Sequence, residues 1–463
     1  MSTLVCLRFF LGEKVDQRKS NAGALGFDLD HTLVRYKVHA TMELIHDCVK
    51  ETLVKMSKDD GTTDLEKRYP RSLLDDKIDH DFNLKGLVLD GLLGNFLWLR
   101  EDKTVVSAVH GVDSLTREQI EEAYPRALTE VQGQRHPRYF VFLSYFEGAV
   151  PCLLRKVIAH EDARAKLENR PADYSFLTAD LGAAFDANFG GFDAPGRYFR
   201  EFRAHPEKYL YKRPEVTQWL RSLKEQGKAL FVVTNSRYEY FRLLMDYCFD
   251  DNWRDIFDII VTHGKKPRFF NDTTVPFLRV DESAHTETEE QVSQLVRGSI
   301  VAEGNWRSVN EFLRTLATDG ASDRVIYFGD HLDSDVKAVR AHTDWLAACV
   351  LEEVDATHHD ELERDALFEN VEAEQQRQRR VQQVVHDSPY RNLHVSQQWG
   401  AFFHTQCGHM STWASHVCEH SHLAIPCLSV LAKAPLDHVF VASGAEPTAC
   451  FYPQPIHLRA KHL

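Results

Sequence analysis

What this 463-residue sequence lacks narrows its class first. It has no uncharged apolar run near the roughly 18 residues that span a bilayer. Its short N-terminal apolar patch is broken by Arg8 and followed by Glu13 and Asp16, a poor secretory or transit segment, so no membrane partner is expected. Positive charge is in deficit, with 55 Lys and Arg against 69 Asp and Glu and a formal net charge of −14. A protein that binds nucleic acid through its whole surface needs a basic footprint, so no nucleic-acid partner is expected. An anionic small molecule is not excluded, because it responds to the local field of its site. No CxxC pair occurs, and the nine cysteines are scattered, which fits reduced thiols in a cytoplasmic protein better than a disulfide framework. No internal repeat is visible. Global disorder is excluded by a 43% hydrophobic content, and length alone suggests about three folding units.

Against these absences, short apolar runs that end in polar residues stand out. Ala24-Leu25-Gly26-Phe27 leads into Asp28-Leu29-Asp30 and reads as a buried strand delivering acids at its C-terminal edge, where parallel α/β sheets bind ligands. A second strand, Ala229 to Val233, ends at Thr234-Asn235-Ser236. It follows a helix expected from Pro214 to Gln226, with Pro at its start and Gly227 as its stop. Further strands are expected at Phe257 to Thr262, at Val325 to Phe328 ending in Gly329-Asp330, and at Trp345 to Leu351. Helical stretches at Tyr238 to Phe249 and Trp306 to Leu316 alternate with them, which implies an α/β fold with a parallel sheet covered on both faces.

Roughly 200 residues separate the first strand from the second, whereas a crossover needs about 30. The surplus, 39–207, is expected to be an inserted α+β domain. It contains a helix from Met42 to Ser57, a charged loop near Lys58 to Asp76, and extended runs at Gly86 to Leu99 and Tyr139 to Phe146. The core is then 1–38 with 208–350, and 351–463 is a C-terminal extension packing on it. Residues 271–300 read as a solvated loop or hairpin without chemistry. Glu361 to Val385 reads as an exposed helix, its heptads too irregular to favour a coiled coil.

In a doubly wound sheet the strand ends converge on one crevice. Asp28 and Asp30 would be close like charges that need a cation or a shared proton, and such a pair suits a nucleophile and a proton shuttle. Asp330 and Asp335 are the hard oxygen ligands that Mg²⁺ prefers. Thr234, Asn235 and Ser236 offer groups that hold phosphate oxygens, and Lys265-Lys266-Pro267 offers a point charge on a stiff turn. Each fragment alone is ordinary: a helix N-cap, a surface lysine, a turn. Their joint occurrence at strand ends points to a phosphate and Mg²⁺ site. Cys407, His409, Cys418, His420 and His422 could be drawn as a zinc site, but their spacing fits no familiar finger.

The motifs FDLDHTL, VVTNS, GKKPRFF and YFGDHLDSD resemble those of the haloacid-dehalogenase (HAD) superfamily. Within it the chain is most similar to the cytosolic purine 5′-nucleotidase family and its 5′-nucleotidase-domain-containing proteins. Lys85-Gly86-Leu87-Val88-Leu89-Asp90, Gly94-Asn95-Phe96-Leu97 and Val109-His110-Gly111 resemble that family's inserted cap, and Phe451-Tyr452-Pro453 is a fainter echo. The resemblance implies a Rossmann-like HAD core, a doubly wound parallel sheet, with a large inserted α+β cap. It makes Asp28 the nucleophile that forms an aspartyl-phosphate, and Asp30 the general acid and then base. Mg²⁺ would be held by Asp28, the Asp30 carbonyl and Asp330, with Asp335 a ligand or its support. Thr234 and Asn235 would bind the transferring phosphoryl, and Lys266 would neutralise it. Phe146 stands where a base-stacking aromatic is expected. Asp186 is a poor match to a base-reading acid. The implied function is Mg²⁺-dependent hydrolysis of a small phosphorylated substrate, a nucleoside 5′-monophosphate. The alternatives are a non-nucleotide phosphomonoester or a catalytically weak phosphate-binding scaffold. A homo-oligomer is compatible with all of these.

Overall fold

The computed structural model describes residues 22–57, 63–131 except 65, 136–194, 196–249, 252–316, 324–354 and 409–434, with short stretches at 8–10 and 439–441 and single positions between 396 and 405. The expected helix at Glu361 to Val385, the echo at 451–453 and Cys407 lie outside the described residues. The described residues fall into two compact units, where length alone suggested three. One holds those of Met1–Tyr36, Leu210–Leu393 and His416–Leu463, and the other those of Lys37–Tyr209 and His394–Ser415.

The first unit is α/β. Nine strands form its main sheet: β1 (Ala24–Phe27), β2 (Ala229–Val233), β3 (Ile259–Thr262), β4 (Phe277–Asp281), β5 (Thr286–Val292), β6 (Ser299–Glu303), β7 (Val325–Gly329), β8 (Leu346–Val350) and β9 (Leu423–Ile425), in the spatial order β5-β4-β6-β3-β2-β1-β7-β8-β9. The inner strands read as continuous apolar runs because both faces are covered; Leu25, Phe27, Phe231, Val232, Ile326 and Phe328 are all buried. β1 pairs in parallel with β2 on one side and β7 on the other. The strand ends carrying Asp28, Thr234 and Asp330 are therefore neighbours.

The 271–300 segment contains the expected hairpin, but two features were not foreseen: β6 pairs in parallel with β3, and the hairpin's first strand, β4, extends the sheet antiparallel to β6. The hairpin also caps a helix: Glu287 accepts a hydrogen bond from Tyr238 N at 2.7 Å. Arg237, the residue before the Tyr238–Cys248 helix, offers no side-chain cap, so this carboxylate satisfies an end donor and meets the positive end of the helix dipole. Helices Pro214–Glu225 and Trp306–Leu316 bury Val216, Trp219, Leu220 and Leu223, and Val309, Phe312 and Leu313, on one stripe each.

The second unit has a five-stranded antiparallel sheet, in the order Asp113–Ser114, Val105–His110, Asn95–Leu99, Val88–Asp90, Tyr139–Val141. Helices Val38–Met56, Pro151–Leu167, Leu177–Phe189 and Tyr198–Ala204 accompany it. The expected run Gly86 to Leu99 is a hairpin rather than one strand. The run Tyr139 to Phe146 stops at Val141, because Ser144 Oγ accepts from Glu147 N at 3.3 Å and opens a short helix, Tyr145–Gly148. Part of the C-terminal extension, expected to pack on the core, belongs to this unit instead. Trp399 Nε1 donates to Phe82 O at 2.8 Å and Trp413 Nε1 donates to Gly86 O. No helix among the described residues is long and apolar enough to cross a membrane.

Candidate functional site: a buried acid–lysine cluster

The cluster is assembled at the carboxyl edge of β2, β1 and β7. Asp28 continues the ladder one step past β1, its N–H donating to Phe328 O at 2.7 Å. The chain then turns sharply: Leu33 N reaches back to Asp28 O and Val34 N to Leu29 O, with His31 in the left-handed region at φ 55°. Arg213 Nη2 ties the turn down by donating to Thr32 O and Leu33 O, at 3.1 and 2.8 Å.

After β7, a wide π-helical turn at Leu332–Lys337 brings a second acid back. Asp335 N and Val336 N both donate to His331 O, and Asp335 Oδ2 accepts from His331 N at 3.2 Å. The return is so tight that a Cβ on Gly329 would lie 2.4 Å from the Asp335 Cβ. Beyond β3, the loop carries His263 and Lys265 at positive φ and a cis Lys266–Pro267 peptide. Of the two lysines, Lys265 pairs with Glu303 at 2.6 Å, and Lys266 enters the cluster.

Lys266 Nζ lies 2.7 Å from Asp28 Oδ1, 2.6 Å from Asp335 Oδ1 and 3.1 Å from Tyr327 OH. These three acceptors match the three hydrogens of an ammonium group. Tyr327 in turn donates to Val233 O at 2.8 Å. Burial alone would lower the Lys266 ammonium, but the facing carboxylates outweigh it and hold it well above its ordinary range. Burial raises the Asp28 carboxyl to about 7; Asp335 and Asp30 push the same way, and Lys266 opposes them. One lysine does not balance the acids gathered here. Carboxylate oxygens of Asp28, Asp330 and Asp335, all three buried, lie within 4.8 Å of one another, and no other group of ligand-type side chains among the described residues converges so.

Asp30 sits differently. Its Oδ1 accepts from Tyr36 OH at 2.5 Å and its Oδ2 from Ser236 Oγ at 2.6 Å. Thr234 is fully buried and its Oγ1 accepts from Ser236 N at 3.0 Å. Asn235 turns its amide onto the backbone of Lys266, accepting from N at 2.6 Å and donating to O at 3.2 Å. The bland reading of Thr-Asn-Ser as a helix cap does not hold, because the helix begins at Tyr238.

The sequence-expected residues Asp28, Asp30, Thr234, Asn235, Ser236, Lys266, Asp330 and Asp335 are thus all in the first unit. Phe146 lies in the second, where its ring meets Phe189 edge-on at 5.8 Å and Tyr198 at 6.4 Å. Asp186 is in the last turns of the Leu177–Phe189 helix. Of the histidines near the C-terminus, His422 is committed to structure. Its Nδ1 accepts from Ala347 N at 3.1 Å, its Nε2 lies 2.8 Å from Arg340, and burial brings its imidazole down to about 4. Sequence reasoning missed Tyr36, Gly329 and Tyr327. Only Tyr327 left a signal, a hydroxyl inside an otherwise apolar strand.

The site is therefore a buried carboxylate–ammonium cluster at the carboxyl edge of an α/β sheet. Residues 17–391 match the 5′ nucleotidase family, and the chain belongs to it. The human 5′-nucleotidase domain-containing protein 1 is 31% identical over 455 residues, 93% of this chain and 94% of the relative. Its Bos taurus counterpart is 30% identical, over 93% of this chain and 94% of its own length. The human 5′-nucleotidase domain-containing protein 2 is 26% identical over 71% of this chain and 60% of its own length.

Proposed function

We propose that this chain is a Mg²⁺-dependent phosphomonoesterase of the HAD type, hydrolysing nucleoside 5′-monophosphates through an aspartyl-phosphate on Asp28. The observation that carries the reading is the position of Asp28, buried beside Lys266 with Asp330 and Asp335 in reach. The nucleotide rests on family membership and on the relatives' names.

The residues fit a hard divalent cation. Three buried carboxylates with a single ammonium leave negative charge that burial penalises, and an all-oxygen donor set suits Mg²⁺. Asp28, Asp330 and Asp335 would hold it, and when bound it supplies positive charge opposite the phosphoryl oxygens. In the first transfer, an Asp28 carboxylate oxygen bonds to phosphorus while the bond to the leaving oxygen breaks, and Asp30 gives that oxygen a proton. In the second, water attacks the phosphorus, the Asp28–phosphate bond breaks, and the water's proton returns to Asp30. Lys266 neutralises charge as it moves between Asp28 and the phosphoryl group. Such transfers consist largely of positioning and neutralisation.

Phosphate release from a panel of nucleoside monophosphates and sugar phosphates, with Mg²⁺, tests this. Wild type should release phosphate from at least one nucleotide, and Asp28→Asn should release none. Equal silence of both across the panel would sink the reading, and turnover of sugar phosphates alone would replace the substrate.

A further inference from the structure

Asp30 is held from behind by a buried scaffold that begins on the far side of β7. Glu352 follows β8 in a short helical turn, Glu352–Val354, and is 1% exposed. One carboxylate oxygen meets His31 Nδ1 at 2.8 Å and the other meets Arg35 at 2.6 Å. His31 and Arg35 bracket the turn that follows Asp30, so one acid pins both ends of that turn. His31 Nδ1 must carry a hydrogen to bond a carboxylate, which sets the tautomer and the ring plane. The ring lies nearly flat against Tyr36, with centroids 4.6 Å apart and planes 28° apart. The Tyr36 hydroxyl in turn meets Asp30 Oδ1 at 2.5 Å and Tyr240 OH at 3.0 Å.

We propose that Tyr36 is the positioning residue for Asp30, set in place by Glu352 through His31. The inference rests on the phosphomonoesterase reading, in which Asp30 moves the proton. A hydroxyl both donates and accepts. With Asp30 as a carboxylate, Tyr240 donates to Tyr36 and Tyr36 donates to Asp30. The proton that Asp30 gives to the leaving oxygen sits on Oδ2, so Oδ1 goes on accepting from Tyr36 whether or not that proton is present. The same contacts therefore hold the carboxyl in one orientation before and after it gives up its proton. A phenyl ring at 36 keeps the stack on His31 and loses the hydroxyl's contacts with Asp30 and Tyr240.

The test separates proton transfer from stability. Tyr36→Phe and Glu352→Gln are made in the full chain beside Asp28→Asn. For each, kcat/KM, which reports the first transfer alone, is measured on a nucleoside 5′-monophosphate and on p-nitrophenyl phosphate, whose leaving group departs without a proton. Tyr36→Phe should lose about ten- to a hundredfold on the nucleotide, the scale of general acid assistance, and less than about threefold on the aryl phosphate, with thermal stability nearly unchanged. Glu352→Gln keeps one acceptor but turns an amide N–H₂ toward His31 or Arg35. It should show the same split in smaller degree. Equal losses on both substrates, or no loss, with Asp28→Asn still silent, would overturn the proposal and leave the phosphatase reading intact. Activity persisting in Asp28→Asn would overturn that reading itself. If Glu352→Gln does not fold, Tyr36→Phe, which removes one oxygen atom, decides alone.

Discussion

The side-chain amide of Asn235 grips the backbone of Lys266 at both ends of one residue, accepting from its N–H at 2.6 Å and donating to its carbonyl at 3.2 Å. Strands β2 and β3 are neighbours, so the clasp joins their two terminal loops. It also aims Lys266 at Asp28 without using the lysine side chain, which is left whole for charge.

Asn235→Ala should therefore damage the site more than the fold. Two backbone groups lose their partner, at a cost of about 1–3 kcal/mol if they stay dry. Water can reach part of this loop, and the lower end of that range is expected in thermal or denaturant unfolding. Phosphate release should fall at least about tenfold, because a lysine displaced by a fraction of an ångström no longer neutralises the transfer. A variant as active as wild type would show that the clasp does not aim Lys266.

Lys266→Met removes the ammonium that lies between Asp28 and Asp335. Breaking a buried pair by deleting one partner costs about 3–5 kcal/mol, since the other charge is stranded. Here Asp28 and Asp335 are both left without their cation. The variant should unfold at lower temperature, and excess Mg²⁺ should recover much of the loss because it supplies positive charge to the same oxygens. Phosphate release should not recover. Unfolding measured with Mg²⁺ and with chelator checks this; a variant that ignores Mg²⁺ would show that the three acids do not form one site.

Stability should depend on pH through Asp28. Burial raises its carboxyl from an ordinary value of about 3.9 to about 7. Between those values the folded chain holds a proton that the unfolded chain has released, so folding becomes less favourable as pH rises through this window. A bound divalent cation favours the carboxylate and opposes that loss. Mg²⁺ should thus raise the unfolding temperature more at about pH 8 than at about pH 5.5, and Asp28→Asn should reduce the difference. Equal shifts at both pH values in wild type would contradict the assignment of the excess proton to Asp28.

How much of this was legible depended on how local each feature is. An apolar run that ends in an acid is self-contained, so β1, β2, β7 and the acids Asp28 and Asp330 could be placed from their own residues. The Trp306–Leu316 helix announced itself by its apolar stripe. β6 (Ser-Ile-Val-Ala-Glu) is bounded by polar residues and β9 has only three residues, so neither announces itself, and they become strands by pairing with the edges of β3 and β8. The site divides in the same way. Acids at strand ends can be read off, whereas the grip of Glu352 on His31 spans 321 positions and is made by the folded sheet alone. Asn235 shows a subtler limit: its place beside the site was readable, but its hold on the Lys266 backbone was not.

Gly329 gives the sharpest steric test. Its φ is not in the left-handed region, so an alanine suits the backbone. The obstacle is space: a Cβ there would lie 2.4 Å from Asp335 Cβ and 2.5 Å from Asp335 Cγ. These atoms belong to the start of a buried side chain whose far end is held by Lys266 and by His331 N, so they cannot swing aside. Gly329→Ala should force Asp335 and the π-helical turn outward, at a cost of about 1–3 kcal/mol for overpacking, and separate Asp335 from Asp28 and Asp330. Mg²⁺ affinity, read by calorimetry, should fall by more than about tenfold. Moving Asp335 also loosens Lys266, so phosphate release should fall even at saturating Mg²⁺. Normal Mg²⁺ affinity together with unchanged stability would mean that the turn yields without displacing Asp335, and that the missing side chain at 329 is not what lets the acid reach the cluster.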